Sequence, residues 1–343
     1  MDTKSAFTPS RRSFLRGGLA ATAVGALGTS AWLPSSAASA AARAPWLPYT
    51  ANSFFRSKVA GSPVNRARTR AFKRFMRTHP EQKAVSWPKV NVNPDWASTH
   101  CLGKASDPVW KLTGGNTSDS RLAVVRTRGF HMSDATAALF PTGTQDRPGV
   151  MVDRIFGYTV QFADGVVNRA NRTIAVSNAA VFWHTSNGLD YRNPKSNDSR
   201  NMSSRGRIID AQVIRPDLLQ AGIANNTGLG HVLHLFFVET KTSDGVCHPM
   251  TGSESSKNGF GAEGERIAIR ADVNLVSRGL TGGALALART LQTHGAYIGD
   301  NSGSSTQLKG QSGGYPGTNV STDCLKGKIT WDDFYVLPKG WQK

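Results

Sequence analysis

The groups able to move a proton or hold a ligand are eight histidines and a scatter of carboxylates. The richest run is Gly230-His231-Val232-Leu233-His234-Leu235-Phe236-Phe237-Val238-Glu239-Thr240. It is apolar on both faces, which suits a strand through the centre of a domain. Side chains alternate along a strand, so His231, Leu233, Leu235, Phe237 and Glu239 share one face while His234 points the other way. The H-x-x-H spacing would pair two imidazoles on a helix; on a strand it separates them, so this pair does not chelate an ion by itself. His231 and Glu239 lie roughly 26 Å apart along an extended chain. Each therefore needs partners from other strands.

Further candidates sit at turns. Cys247-His248-Pro249-Met250 follows Asp244-Gly245 and places His248 near a strand start, where binding loops gather. The stretch Phe182–Asp190 contains Trp183, whose aromatic face suits a pyranose ring, and His184. Tyr297-Ile298-Gly299-Asp300-Asn301 ends where a short strand gives way to a Gly/Ser loop, so Asp300 can serve as a general acid or base. Glu254, Glu263 and Glu265 offer a second source of carboxylates, and Asp332 and Asp333 a third whose members point apart on a strand. Glycoside hydrolysis needs two carboxyls about 5–10 Å apart. The catalytic candidates are His231, His248, Asp300 and Glu239; the substrate-binding candidates are Trp183, His184 and Asn301. Each has a structural alternative: a hydrogen-bonded core histidine, a core tryptophan, or an aspartate capping a turn. The sequence carries no G-x-S-x-G elbow, phosphate loop, dinucleotide fingerprint or local Cys/His metal spacing, and so calls for no cofactor.

The elements that must position these groups read as mainly β. Residues 62–78 predict an amphipathic helix, with Ser62 as cap, Pro63 in its first turn, and apolar Val64, Ala67, Ala71, Phe72, Phe75 and Met76 opposite a run of arginines. From residue 85 onward short Val/Ile/Phe/Thr-rich runs alternate with turns. Strands are predicted at 109–112, 122–127, 150–154, 158–163, 172–176, 180–184, 208–214, 231–240, 266–269 and 334–337. Asp164-Gly165 marks a turn, with a hairpin as one form of it. Two helices interrupt the pattern, at 216–221 and 280–294. Residues 301–323, rich in Gly and Ser, read as a mobile surface segment. The organisation expected is a signal over 1–44, a basic helical segment over 45–84, and one β-sandwich or jelly-roll-like domain over 85–343.

The N-terminus is an address. Ser10-Arg11-Arg12-Ser13-Phe14-Leu15-Arg16 is the twin-arginine pattern, followed by a mildly apolar Gly/Ala stretch and small-residue cut sites after Ala40 or Ala44. No other segment is long and apolar enough to span a membrane. The chain holds 41 basic against 23 acidic residues; removing Lys4, Arg11, Arg12, Arg16, Arg43 and Asp2 with the signal leaves 36 against 22, a charge of +14. Residues 54–83 carry nine basic residues against Glu81 alone. Such a surface attracts polyanions or simply solvates a helix, and no nucleic-acid module accompanies it. Three cysteines, Cys101, Cys247 and Cys324, suggest one disulfide in an exported protein, with Cys247–Cys324 favoured.

The segments Ile214–Gly222 with Gly230–Leu233, and Arg289–Asn301, resemble a group of uncharacterised exported bacterial proteins. In them a short helix leads to a His-led strand, and a second helix ends in a turn before a strand closing on a polar pair. The likeness spans about residues 150–310. No activity attaches to the group, so the resemblance carries no catalytic residue; it directs attention to His231, His248, Asp300 and Asn301. His294 stands where a Tyr is usual. Export, β texture and His, Trp and carboxylate residues near strand ends point to a secreted carbohydrate-active protein. That protein is a glycosidase with paired acids or a polysaccharide lyase with a His or Tyr base. The alternatives are a non-catalytic binder of glycan or anionic wall polymer that uses residues 54–83, and a metal enzyme built on His184, His231 and His248.

Overall fold

The computed structural model describes residues 46–93, 96–115, 122–143, 146–188, 213–250 and 252–341. The signal peptide, Asp190 and most of the strand expected at 208–214 lie outside the described residues.

The first long helix, α1 (Arg66–Thr78), starts later than its periodicity suggests. Asn65, not Ser62, caps it by accepting from Arg68 N, and it buries Phe72 and Met76. Two more helices, α4 (Pro216–Ala224) and α5 (Gly282–Thr293), fall where expected. Two five-residue helices add to them, α2 (Ala123–Thr127) and α3 (Asp134–Ala138). The first of these replaces the strand expected at 122–127. Leu122 and Val125, three residues apart, both turn into the core, a helical spacing that overrides the β-branched residues between them.

The strands form three sheets. The six-stranded sheet runs β1 (Lys89–Asn91), β13 (Gln307–Lys309), β10 (Leu233–Phe237), β12 (Ala296–Asn301), β11 (Arg266–Ile269), β14 (Phe334–Val336). The second runs β2 (Thr99–Gly103), β5 (Gly149–Asp153), β6 (Tyr158–Ala163), β9 (Asn178–Trp183). The third runs β4 (Phe130–His131), β3 (Val109–Gly114), β8 (Thr173–Val176), β7 (Val166–Asn168). Four pairs are parallel: β1/β13, β10/β12, β2/β5 and β3/β8. The molecule is mainly β, as expected, but a jelly roll is antiparallel throughout and these mixed sheets are not. Asp164-Gly165 is also no hairpin: β6 enters it in the second sheet and β7 leaves it in the third.

Alternation along the strands stacks these layers. Leu233, Leu235 and Phe237 of β10 face a core shared with Phe72 of α1, Leu218 and Leu219 of α4, and Leu287 and Leu291 of α5. Val232 and Tyr297, on the other side, pack with Phe54, Phe55, Val150, Val152, Ala180 and Phe182. The intervening residue Met151 turns away, with Tyr158, Val160 and Phe162, onto Trp110, Leu112 and Ile174 of the third sheet. The order is helices, six-stranded sheet, second sheet, third sheet. Each fully buried Phe or Leu contributes about 1.5–3 kcal/mol. Both faces of β5 and β6 are covered, so Val150, Met151 and Val152 run on without alternation and even Thr159 and Gln161 of β6 are buried.

The three cysteines are all free, which corrects the expected Cys247–Cys324 disulfide. Cys101 packs in the core between the second and third sheets, and Cys324 against the core beneath the helices. Burial raises all three thiols, Cys247 and Cys324 to about 11, so none is a thiolate at neutral pH.

Candidate functional site

At the carboxyl ends of the parallel neighbours β10 and β12 a cleft of about 570 Å³ opens. Its wall carries the carboxylates Asp146, Glu254 and Asp300, the amides Asn91, Asn93, Asn301 and Gln307, and the rings of Trp96 and Phe236. Trp96 is 41% exposed.

Asp300 reaches this wall through a bulge. The β10/β12 register pairs Leu235 with Ile298 and then Phe236 with Asp300, so Gly299 is skipped. Gly299 sits against the His234 imidazole, and a Cβ there would stand 2.4 Å from the ring. A bulge adds one residue to a strand and re-aims those that follow. Here it brings Asp300 beside Phe236 at the cleft wall. Asp300 Oδ1 accepts from Asn301 N at 3.0 Å.

The rest of the wall is held by short local bonds. Asn301 Oδ1 accepts from Thr240 N at 2.7 Å, and its Nδ2 donates to Thr240 Oγ1 at 3.0 Å, which clasps the ends of β10 and β12 together. The Asn301 side chain is thus a brace of the cleft. Gln307 Nε2 donates to Ser304 Oγ, and Asn91 Oδ1 accepts from Asn93 N. Behind the wall, buried Lys309 donates from Nζ to Trp96 O at 2.8 Å and lies 4.2 Å from the centre of the Phe236 ring, so it fixes the Trp96 turn. Glu254 Oε2 lies 3.4 Å from Lys257 Nζ, and the Glu254 amide donates to buried Glu263.

Asp146 enters from the turn before β5, its carbonyl accepting from Asp164 N. Partial burial raises its carboxyl above the usual aspartate range. The Lys309 ammonium opposes that shift, and the negative charges of Asp164 and Asp300 add to it. The charge of Asp300 thus reaches Asp146 across the cleft. A carboxyl held toward its protonated form beside a second carboxyl can assist bond cleavage as a general acid.

The other residues singled out in the sequence do not join them. His231 precedes β10, at the opposite end of the strand from the cleft. It is fully buried, its Nδ1 2.8 Å from Val232 O and its ring tilted against Phe55. His248 packs edge-on to Phe54, and burial lowers its pKa. Glu239 leaves β10 on the α1 side; His79 Nε2 lies 3.3 Å from its Oε2, and Asn258 N donates to its Oε1. Trp183 and His184 end β9 beside Tyr158 and Asp153, whereas Asp146 precedes the far end of β5, about 13 Å away along the strand. His184 bonds Thr159 Oγ1 and packs against the ring of Trp46. Of the seven candidates, Asp300 and Asn301 line the cleft. Among the described residues no group of three or more His, Cys, Asp or Glu side chains can hold a metal ion, so the set His184, His231 and His248 is not assembled.

Asp146, Trp96 and Gln307 were missed in the sequence. Each sits in a short polar segment with no periodicity, and its only signal is a lone acid, ring or amide beside a turn. A larger hollow, about 1020 Å³, lies between residues 56–64 and Gln292, His294 and Tyr335, but its one carboxylate, Asp272, is held by Arg270.

The buried histidines carry a stability signature. Burial lowers His100 and His294 to about 3, with nearby Arg215 and His231 respectively adding to the effect. A folded-state pKa below the unfolded value near 6.5 means that the unfolded chain takes the proton first. Stability is then complete above pH 6.5 and falls as pH drops from there toward 3. Urea unfolding at pH 5 should show a loss of about 2 kcal/mol per histidine relative to pH 7.5. His100→Asn or His294→Asn should flatten that slope, and equal stability at both pH values would contradict it.

Residues 8–28 match the TAT (twin-arginine translocation) pathway signal sequence. No curated protein and no solved structure matches the chain. Among the described residues no helix is long and apolar enough to cross a membrane. Signal and fold define a class: a mainly-β protein exported through the twin-arginine route and secreted.

Proposed function

We propose that this protein is a secreted glycoside hydrolase whose Asp146 and Asp300 act on a glycan bound across the cleft. The observation that carries the reading is the pair itself: Asp300 near the end of β12 and Asp146 in the turn before β5 line one cleft, the charge of Asp300 helps to raise the Asp146 carboxyl, and an exposed Trp96 stands beside them. Asp146, kept toward its protonated form, serves as general acid to the glycosidic oxygen. Asp300 serves as nucleophile or general base on the other side of the bond. Trp96 stacks on a sugar ring, and the amides meet hydroxyls. Hydrolysis is favoured over elimination because among the described residues no His or Tyr lines the cleft to take the proton next to a uronate, and three carboxylates there repel an acidic sugar.

The test is a screen of neutral, amino-substituted and acidic polysaccharides that reads reducing ends and near-ultraviolet absorbance. New reducing ends without absorbance, abolished in Asp146→Asn, support the proposal. Absorbing products, or turnover that survives the substitution, contradict it. Binding without turnover would instead identify a glycan-binding cleft. The pH profile adds a second check. Activity that needs protonated Asp146 falls as pH rises through its raised pKa. Lys309→Met removes the cation opposing that shift, so the alkaline midpoint should move upward; a downward or absent shift counts against Asp146 as the acid.

A further inference from the structure

We propose that the outward face of α1 docks a linear phosphodiester polymer of the cell envelope, at a site separate from the glycan cleft. The segment 54–83 holds nine basic residues, and the fold sorts them. Arg56 is committed inward, its Nη2 donating to the carbonyls of Leu47, Pro48 and Tyr49. Arg68 pairs with Asp244 at 2.8 Å and with buried Glu265. Lys73 donates to Asp332 O. These cations are structural.

Arg66, Arg70 and Arg74 are not. All three are exposed, and their side chains make no ion pair with any described residue. They lie at i, i+4 and i+8, opposite buried Phe72 and Met76. Arg77 shares that face; its pair with Asp332 is 60% exposed on both sides and so is worth at most about 1 kcal/mol. Four guanidiniums thus form a stripe about 16 Å long, with successive members of the first three about 6 Å apart along the axis. Across an adjoining hollow of about 350 Å³ stands exposed Lys241.

Arg66, Arg70 and Arg74, without an ion pair among the described residues, have no folding role to explain them, and like charges spaced this way weaken a helix. The planar guanidinium fork fits phosphate oxygens in pairs. A phosphodiester chain with a six-bond repeat, such as poly(glycerol phosphate), advances about 7 Å per charge when extended. That matches the arginine spacing. Export brings the protein to the envelope. The cleft, with Asp146, Glu254 and Asp300 in its wall, repels the same polymer. The stripe therefore tethers, and the cleft acts on something else. This inference rests on export and α1, not on catalysis.

The experiment measures binding of the exported protein to poly(glycerol phosphate), polygalacturonate and single-stranded DNA at 50 and 200 mM salt. Poly(glycerol phosphate) should bind most tightly, and raising the salt should weaken it tenfold or more by counterion release. The triple variant Arg66→Gln, Arg70→Gln, Arg74→Gln, which keeps helix propensity, should lose tenfold or more at low salt with Tm unchanged. Asp300→Asn should bind the polymer as the parent does. Undiminished binding by the triple variant, or tighter binding of polygalacturonate or DNA, overturns the proposal. If the polymer binds as expected while no glycan is cleaved, the hydrolase reading fails and the docking surface stands.

Discussion

Asp300→Asn should lower glycan turnover by about 10²–10⁴-fold, the usual contribution of a positioned acid–base group, while leaving the fold intact. Asp300 is half-buried at the end of β12, and its Oδ1 accepts from Asn301 N, a bond that the amide oxygen of Asn can still accept. The change removes a charge at the wall and little packing, so Tm should move by no more than a few degrees. The fall should appear in kcat with KM little changed, because the group acts on the reacting bond more than on bound sugar. Azide or formate restoring part of the activity would show that the reaction lacks an anion on the face that Asp300 occupies. Full activity in the variant would remove it from the mechanism.

Gly299→Ala should be the most damaging single methyl in the site. Its Cβ would stand 2.4 Å from the His234 ring, and that ring, 1% exposed, is enclosed between the sheets. Forcing the two apart costs about 1–3 kcal/mol. It also disturbs the bulge that aims Asp300, so activity should fall further than stability alone explains. The double variant His234→Ala with Gly299→Ala separates these effects. If the clash is the cause, the pair should be less destabilised than the sum of the two single variants, by a coupling of about 1 kcal/mol or more. Additive losses would show that Gly299 matters for another reason.

Helices and doubly covered strands were legible in the sequence because their signals are local and repeated. Phe72 and Met76 recur at helical spacing in α1, and Val150, Met151 and Val152 of β5 run on without alternation because layers cover both its faces. Strand β13 was invisible. It lies in the Gly/Ser-rich stretch read as mobile, yet Gln307–Lys309 pairs with β1 and β10 inside the six-stranded sheet and buries Leu308 completely. Three residues are too few to set a period, and β13 exists because its neighbours offer unpaired ladders on both sides.

The sequence by itself determined the export route, carried by residues 8–28, and the character of β10 as a central strand with His231 and Glu239 too far apart to cooperate. It also placed Asp300 at a strand end. Only the tertiary structure decided which acid faces Asp300. Asp146 is 154 residues away in the chain, in the turn before β5 of the second sheet, and it lines the same cleft as Asp300. Likewise only the layering buried His231 and tied Glu239 to His79. Local pattern reports which face a side chain takes. Which distant face it meets depends on how whole sheets stack, and that is set by the summed burial of many residues, none of which carries the information alone.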